Sequence, residues 1–193
     1  MGRLLLALVI CVATLLAACG LSKTPTEQAA ESLNKGVEAH NAGRTDEAIG
    51  LYYLTLSRDP KNMLAFHNLG QIARAQNRPA VAEGYYRQAL EVNPNFGPAL
   101  FGLAVVRSGQ GGVQPQEPID LYRKVILIEP NNAAAHYNLG LLLRITGQVA
   151  EGEAEIARAR QLDPSLSAPG PLPTPAATPT PTATPRPSPS PTR

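Results

Sequence analysis

Small, large apolar and helix-breaking residues recur along this chain at fixed distances. Gly36, Gly70, Ala104 and Gly140 form one series of small residues, and Ala48, Ala82, Pro118 and Gly152 form a second. Large apolar side chains form a third, Tyr52, Tyr86, Tyr122 and Ile156, followed by Leu56, Leu90 and Ile126. Small side chains let two helices approach closely and the large ones fill the space beside them, so these positions predict a core between paired helices. Between the two small-residue series stand Gly43, Asn77, the Gly111-Gly112 pair and Gly147, residues that tolerate positive φ at a helix C-terminus. Each segment closes on a proline, Pro60, Pro94, Pro130 or Pro164, at intervals of 34, 36 and 34 residues. Proline lacks the amide proton and restricts the residue before it, so a helix must stop there.

The text around these positions repeats as well. His67 to Gly70 reads HNLG and Tyr137 to Gly140 reads YNLG, each 24 residues before a closing proline, with ALEVNPN, VILIEPN and ARQLDPS around the prolines. Over residues 26–164 the pattern resembles the tetratricopeptide repeat. That resemblance implies an all-α fold, a right-handed α-solenoid of about four helix-turn-helix units at about 29–62, 63–96, 97–132 and 133–166. Two places depart from it. Lys35 stands where later repeats have Leu69, Leu103 and Leu139, and Ser32 where they have Phe66, Leu100 and His136, which predicts a frayed start. In the third repeat the turn is two residues longer, and Pro118 takes the small-residue position. Placed in the first turn of its helix, Pro118 is tolerated because an amide there is unbonded anyway. The third repeat is therefore expected to be the loosest joint.

Before the repeats, Arg3 precedes an apolar run from Leu4 to Ala18, about the length of a signal-peptide hydrophobic region and short for a membrane span. The run ends Leu16-Ala17-Ala18-Cys19, which resembles the lipobox of bacterial lipoproteins. The resemblance implies a signal peptide over residues 1–18, lipid on Cys19, a linker over 19–25 and a membrane address outside the cytoplasm. With Gly20 rather than aspartate after the cysteine, it points to the outer membrane of a two-membrane cell, or to the outer leaflet otherwise. The competing readings are an uncleaved anchor and an ordinary secreted protein. Cys11 and Cys19 are the two cysteines, so the expected mature chain holds none for a disulfide or thiolate metal site. Residues 165–193 shift to Pro, Thr, Ala and Ser with Arg186 and Arg193 as the charges, a composition that cannot build a core. An extended polyproline-II-like spacer of about 90 Å at full stretch is expected, with glycosylation, cell-wall contact or a proline-motif ligand as alternatives.

Catalytic chemistry finds little support. Charge is nearly balanced at +2, with no nucleic-acid footprint or polybasic membrane patch. His40, His67 and His136 fall on three different repeats without metal-ligand spacing, and His136 reads as a packed residue. Ser108 to Gly112 is glycine-rich but lacks the strand and lysine of a phosphate loop. Glu151, Glu153 and Glu155 read as a solvated face, with Glu155 near Arg158. No enzyme, cofactor or metal is expected.

What remains is surface. In the family resembled, first helices line a concave groove that takes a peptide or helix of a protein partner. The matching groove positions carried over here are Asn34, His67, Asn68, Gln71, Arg74, Phe101, Tyr137, Asn138, Leu141 and Arg144. Asn34, Asn68 and Asn138 recur at one place, with Gly102 breaking the series. They either satisfy a ligand's peptide groups, since an amide both donates and accepts, or position neighbouring helices. Phe101, Tyr137 and His67 offer flat contact area, and Arg74 and Arg144 stand ready for an acidic group. The lysine-rich carboxylate clamp of chaperone-binding members is missing, so an EEVD-type C-terminus is not the expected ligand. The expectation is a membrane-tethered adaptor binding an envelope or secreted protein. The alternative is a surface structural protein that self-associates.

Overall fold

The computed structural model describes residues 23–110 and 115–166. Cys19 and its apolar run, the Gly111-Gly112 pair and nearly all of the tail lie outside the described residues. Among the described residues eight helices follow one another: α1 Pro25–Asn41, α2 Thr45–Arg58, α3 Met63–Ala75, α4 Pro79–Val92, α5 Gly97–Gly109, α6 Gln116–Ile128, α7 Ala133–Ile145 and α8 Val149–Leu162. They pair as α1/α2, α3/α4, α5/α6 and α7/α8. Each packs on its neighbours in sequence, and the first helices α1 and α3, and α3 and α5, also touch. The chain is an all-helical solenoid, as expected, with no strand among the described residues.

Local chemistry sets the helix ends. Asn77 at φ 55° and Gly43 and Gly147 at 75° and 87° occupy the left-handed region just past α3, α1 and α7. Beyond each, an N–H reaches back to the helix: Arg44 to the Ala39 carbonyl at 2.9 Å, Arg78 to Ala73 at 2.9 Å and Gln148 to Leu143 at 2.8 Å. These bonds satisfy carbonyls that the helix itself leaves open. At the repeat ends the chain leaves the helix at Asp59, Asn93, Glu129 and Asp163, each followed by its closing proline. After Asp59 and Glu129 the next helix starts on Asn62 or Asn132, whose side chain accepts from the Ala65 or Ala135 N–H at 3.0 Å, whereas after Asn93 it starts on Phe96 without a side-chain cap. Pro118 lies in the first turn of α6, where the missing amide was expected to be harmless, and it is buried.

The first repeat does not fray. Thr24 and Glu27 form a reciprocal capping box at the head of α1, with Thr24 N–H donating to the Glu27 carboxylate at 2.7 Å. Ser32 is buried and donates to the Gln28 carbonyl at 2.8 Å, while Arg58 of α2 donates to the Ser32 hydroxyl. A polar pair thus fills the position that the middle repeats fill with Phe66 and Leu100.

Three apolar clusters form the interior, around Tyr52, Tyr86 and Tyr122. Tyr85 packs against the first two, and Leu90 and Leu121 against the second and third, so the three merge into one core. The close approaches predicted from the small residues are present. A Cβ on Gly70 would fall 2.6 Å from the Tyr86 ring, and one on Gly152 would fall 2.7 Å from the Gly140 carbonyl. The last repeat changes the pattern. Where inner repeats place Tyr85 or Leu121, and Leu90 or Ile126, α8 carries Glu155 and Arg160. Leu90 packs on the following cluster, so at Arg160 the outward side of α8 carries a charge where inner repeats are apolar, as the end of a solenoid needs.

Candidate functional site

The groove positions fall on α1, α3, α5 and α7, and the lining changes character along the array. On α3, Asn68 and Gln71 are half-buried and Arg74 is exposed. On α7, Tyr137 and Leu141 are half-buried and Ile145, one turn further, is 74% exposed. Spacing of four residues places Tyr137, Leu141 and Ile145 on one face of the helix. Phe101 and Val105 of α5, also four apart, are half-buried against the cluster around Tyr122. One half of the groove is polar and the other is an apolar strip. Ile145 was missing from the sequence-derived set, although extending the Tyr137 to Leu141 step by four residues would have found it.

Several expected contacts turn inward. Arg144 was expected to stand ready for an acidic ligand, but it is only 8% exposed, and its Nε lies 2.9 Å from the Glu153 carboxylate of α8. The close packing of Gly140 on Gly152 draws the two helices together and takes the guanidinium with them. His67 packs against Tyr86 at 6.0 Å and edge-on to Phe96 at 5.7 Å. Burial lowers its pKa, with Asn68 opposing, so His67 is neutral at pH 7 rather than a cation. Phe101 meets Tyr122 edge-on at 5.9 Å. Tyr137 and Leu141 therefore supply the apolar contact area together with Ile145.

The asparagine series has a structural explanation at two of its places. Burial raises the pKa of Tyr122, and the side chains of Ser108 and Asn138 are its polar neighbours, which partly offset that shift. In the third repeat the same place is Gly102, where a Cβ would lie 2.5 Å from the ring of Tyr86. Tyr86 takes Arg74 as its polar neighbour instead. Tyr86 and Tyr122 thus each meet the first helix of the next repeat at this position, with glycine under the Tyr86 ring and asparagine beside Tyr122. Among the described residues no repeat precedes Asn34, which is exposed.

Two polar clusters were not read from the sequence. His136, buried as expected, holds the Glu155 carboxylate at 2.5 Å through Nδ1 and the Pro130 carbonyl at 3.0 Å through Nε2. Glu155 therefore belongs to His136, not to Arg158, which reaches Asn131 and Gln161. Between the second and third repeats, Arg107 of α5 bridges Glu117 of α6 at 2.5 Å and Glu83 of α4 at 3.3 Å, and Arg87 pairs with Glu83 at 2.9 Å. Burial works to raise the Glu83 pKa, but the hydrogen bond from Arg87 and the charges of Arg107 and Arg87 hold it below the ordinary value. Neither cluster presents a nucleophile or base to a pocket. Among the described residues, no group of three or more His, Cys, Asp or Glu side chains could hold a metal, and no helix is long and apolar enough to cross a membrane.

Comparison with known proteins follows the same lines. Family models described as tetratricopeptide repeat match residues 63–96 and 121–154. The chain is 30% identical over 148 residues to the photosystem I assembly protein Ycf3 of Acaryochloris marina, covering 66% of this chain and 87% of that protein. It is 35% identical over 89 residues to Ycf3 of Cyanophora paradoxa, covering 45% of this chain and about half, 51%, of that relative's length. Among solved structures, MamA superposes with TM-score 0.62 at 20% identity over 79% of this chain and 84% of that one. The first repeat domain of Spaghetti (RPAP3), solved with the HSP90 peptide SRMEEVD, superposes with TM-score 0.59 at 24% identity, covering 63% of this chain and 98% of that one. At these identities the superpositions establish the fold.

Proposed function

The chain belongs to the tetratricopeptide-repeat family of protein-interaction scaffolds, and from that premise we propose that it is a non-catalytic adaptor. Lipid on Cys19 tethers it outside the cytoplasm, and its concave groove holds an envelope or secreted protein. The observation that carries this reading is the apolar strip of Tyr137, Leu141 and Ile145. An isoleucine 74% exposed at the mouth of a groove gains from being covered, by roughly 25 cal/mol for each Å² of apolar surface removed from water. The polar α3 half, with Asn68 and Gln71, suits the backbone of an extended segment. End-to-end self-association is the weaker reading, because Arg160 would have to be buried against a second copy.

Two measurements test the adaptor. A photo-crosslinking residue at Ile145 in living cells should capture one defined protein, and Leu141→Glu should abolish the capture while the purified chain keeps its melting temperature. Unchanged capture by Leu141→Glu would remove the groove from the function. For the tether, mass spectrometry of the membrane fraction should find a mature chain starting at an acylated Cys19. An unmodified cysteine or an intact residue 1 would reject it.

A further inference from the structure

Two arginines were expected to offer a charge to a ligand, and the structure leaves one. Arg144 is spent on Glu153 inside the last repeat. Arg74, near the end of α3, is exposed; its guanidinium neighbours the Tyr86 hydroxyl, a neutral group that leaves its charge unmatched, and among the described residues it forms no ion pair with a carboxylate. It lines a cleft of about 190 Å³ between the second and third repeats. Asn77 from the turn after α3 and Pro79 at the head of α4 form one wall with Arg74, and Val105 and Val106 of α5 with Gln110 just past its end form the other. Arg74 and Val105 belong to both the cleft and the groove.

The walls are fixed by their own contacts. Val106 is buried in the core. The amide of Gln110 accepts from Arg107 at 3.3 Å and faces Glu83 at 3.5 Å, so it is already engaged on the far side. Both acidic groups of that network are matched by Arg87 and Arg107, which leaves Arg74 as the charge the cleft presents. A guanidinium above apolar walls suits a carboxylate on a short aliphatic stem: the stem lies against Val105 and Pro79 while the fork of N–H donors takes the two oxygens. The volume holds one such side chain.

We propose that this cleft anchors the carboxylate of an aspartate or glutamate side chain in the segment of the partner that lies in the groove, which rests on the groove reading above. The charge arrives from one repeat and the apolar wall from the next, so the contact reads the joint between them.

The test uses the full-length chain purified in mild detergent and a phage-displayed library of random 12-residue peptides, with hits resynthesised bearing amidated C-termini. Selected peptides should be enriched in Asp or Glu beside an apolar residue. Replacing that acid by its amide should weaken binding about tenfold or more, and Arg74→Gln should do the same. Combining both changes should cost no more than either alone. Peptides that bind Arg74→Gln as well as the parent, yet are lost on Leu141→Glu, would overturn the anchor and leave the groove standing. Dependence on Arg74 with indifference to Leu141→Glu would keep the anchor and remove the groove. Binding that follows a free C-terminus instead of the side chain, or a library yielding no specific peptide, would also overturn the anchor.

Discussion

Gly152 shows how much of this fold rests on single atoms. Its absent Cβ lets α8 approach the Gly140 carbonyl, so Gly152→Ala forces backbone apart and should cost about 1–3 kcal/mol in urea unfolding. Gly84 is the opposite case: it lies within α4, exposed, and an added Cβ meets nothing within 4 Å. Gly84→Ala should therefore stabilise by about 0.5–1 kcal/mol, through helix propensity alone. Asn138 separates two roles at one position. Because its side chain is a polar neighbour of the buried Tyr122 hydroxyl, Asn138→Ala should lower stability by about 0.5–1.5 kcal/mol in the same assay, with no ligand present. An unchanged unfolding midpoint would return the asparagine to the ligand.

Between elements, the joint of α4, α5 and α6 carries the clearest electrostatic signature. Glu83 has a lowered pKa in the folded chain, so it contributes stability above its ordinary value of 4.5 and loses that contribution as pH falls through the folded value. Melting temperature should drop on acidification below about pH 4.5, and Glu83→Gln should flatten that part of the profile while lowering the plateau at neutral pH. The helices meeting here were legible in the sequence, because each one is bounded by residues whose effect is local: Gly43, Asn77 and Gly147 by their φ, the four prolines by the missing amide. The small residues Gly70 and Gly140 gave the approach of each pair for the same reason. Charge partners were not legible. Arg107 with Glu83 and Glu117, His136 with Glu155, and Arg144 with Glu153 all join different helices, and long side chains choose among several candidates only once the axes are set. Arg144 was misplaced on that account. Ile145 needed no such geometry and could have been reached from helical spacing.

At the scale of the whole molecule, each repeat stands on its neighbours, through Tyr85, Leu90 and Leu121 in turn. A chain stopped after residue 132 should lose the cover over Tyr122 and Val125, expose that face and aggregate, which light scattering at rising concentration would detect. The charged flank of α8 has a consequence for how such an array can grow. A duplicated unit appended beyond Arg160 would meet an ion where Leu90 offers a greasy surface, and would find no seat. A copy spliced between inner repeats would meet apolar contacts of the kind that Leu90 and Leu121 already make. Lengthening this protein, by evolution or by an engineer, is therefore an internal operation, and the finishing unit travels outward unchanged.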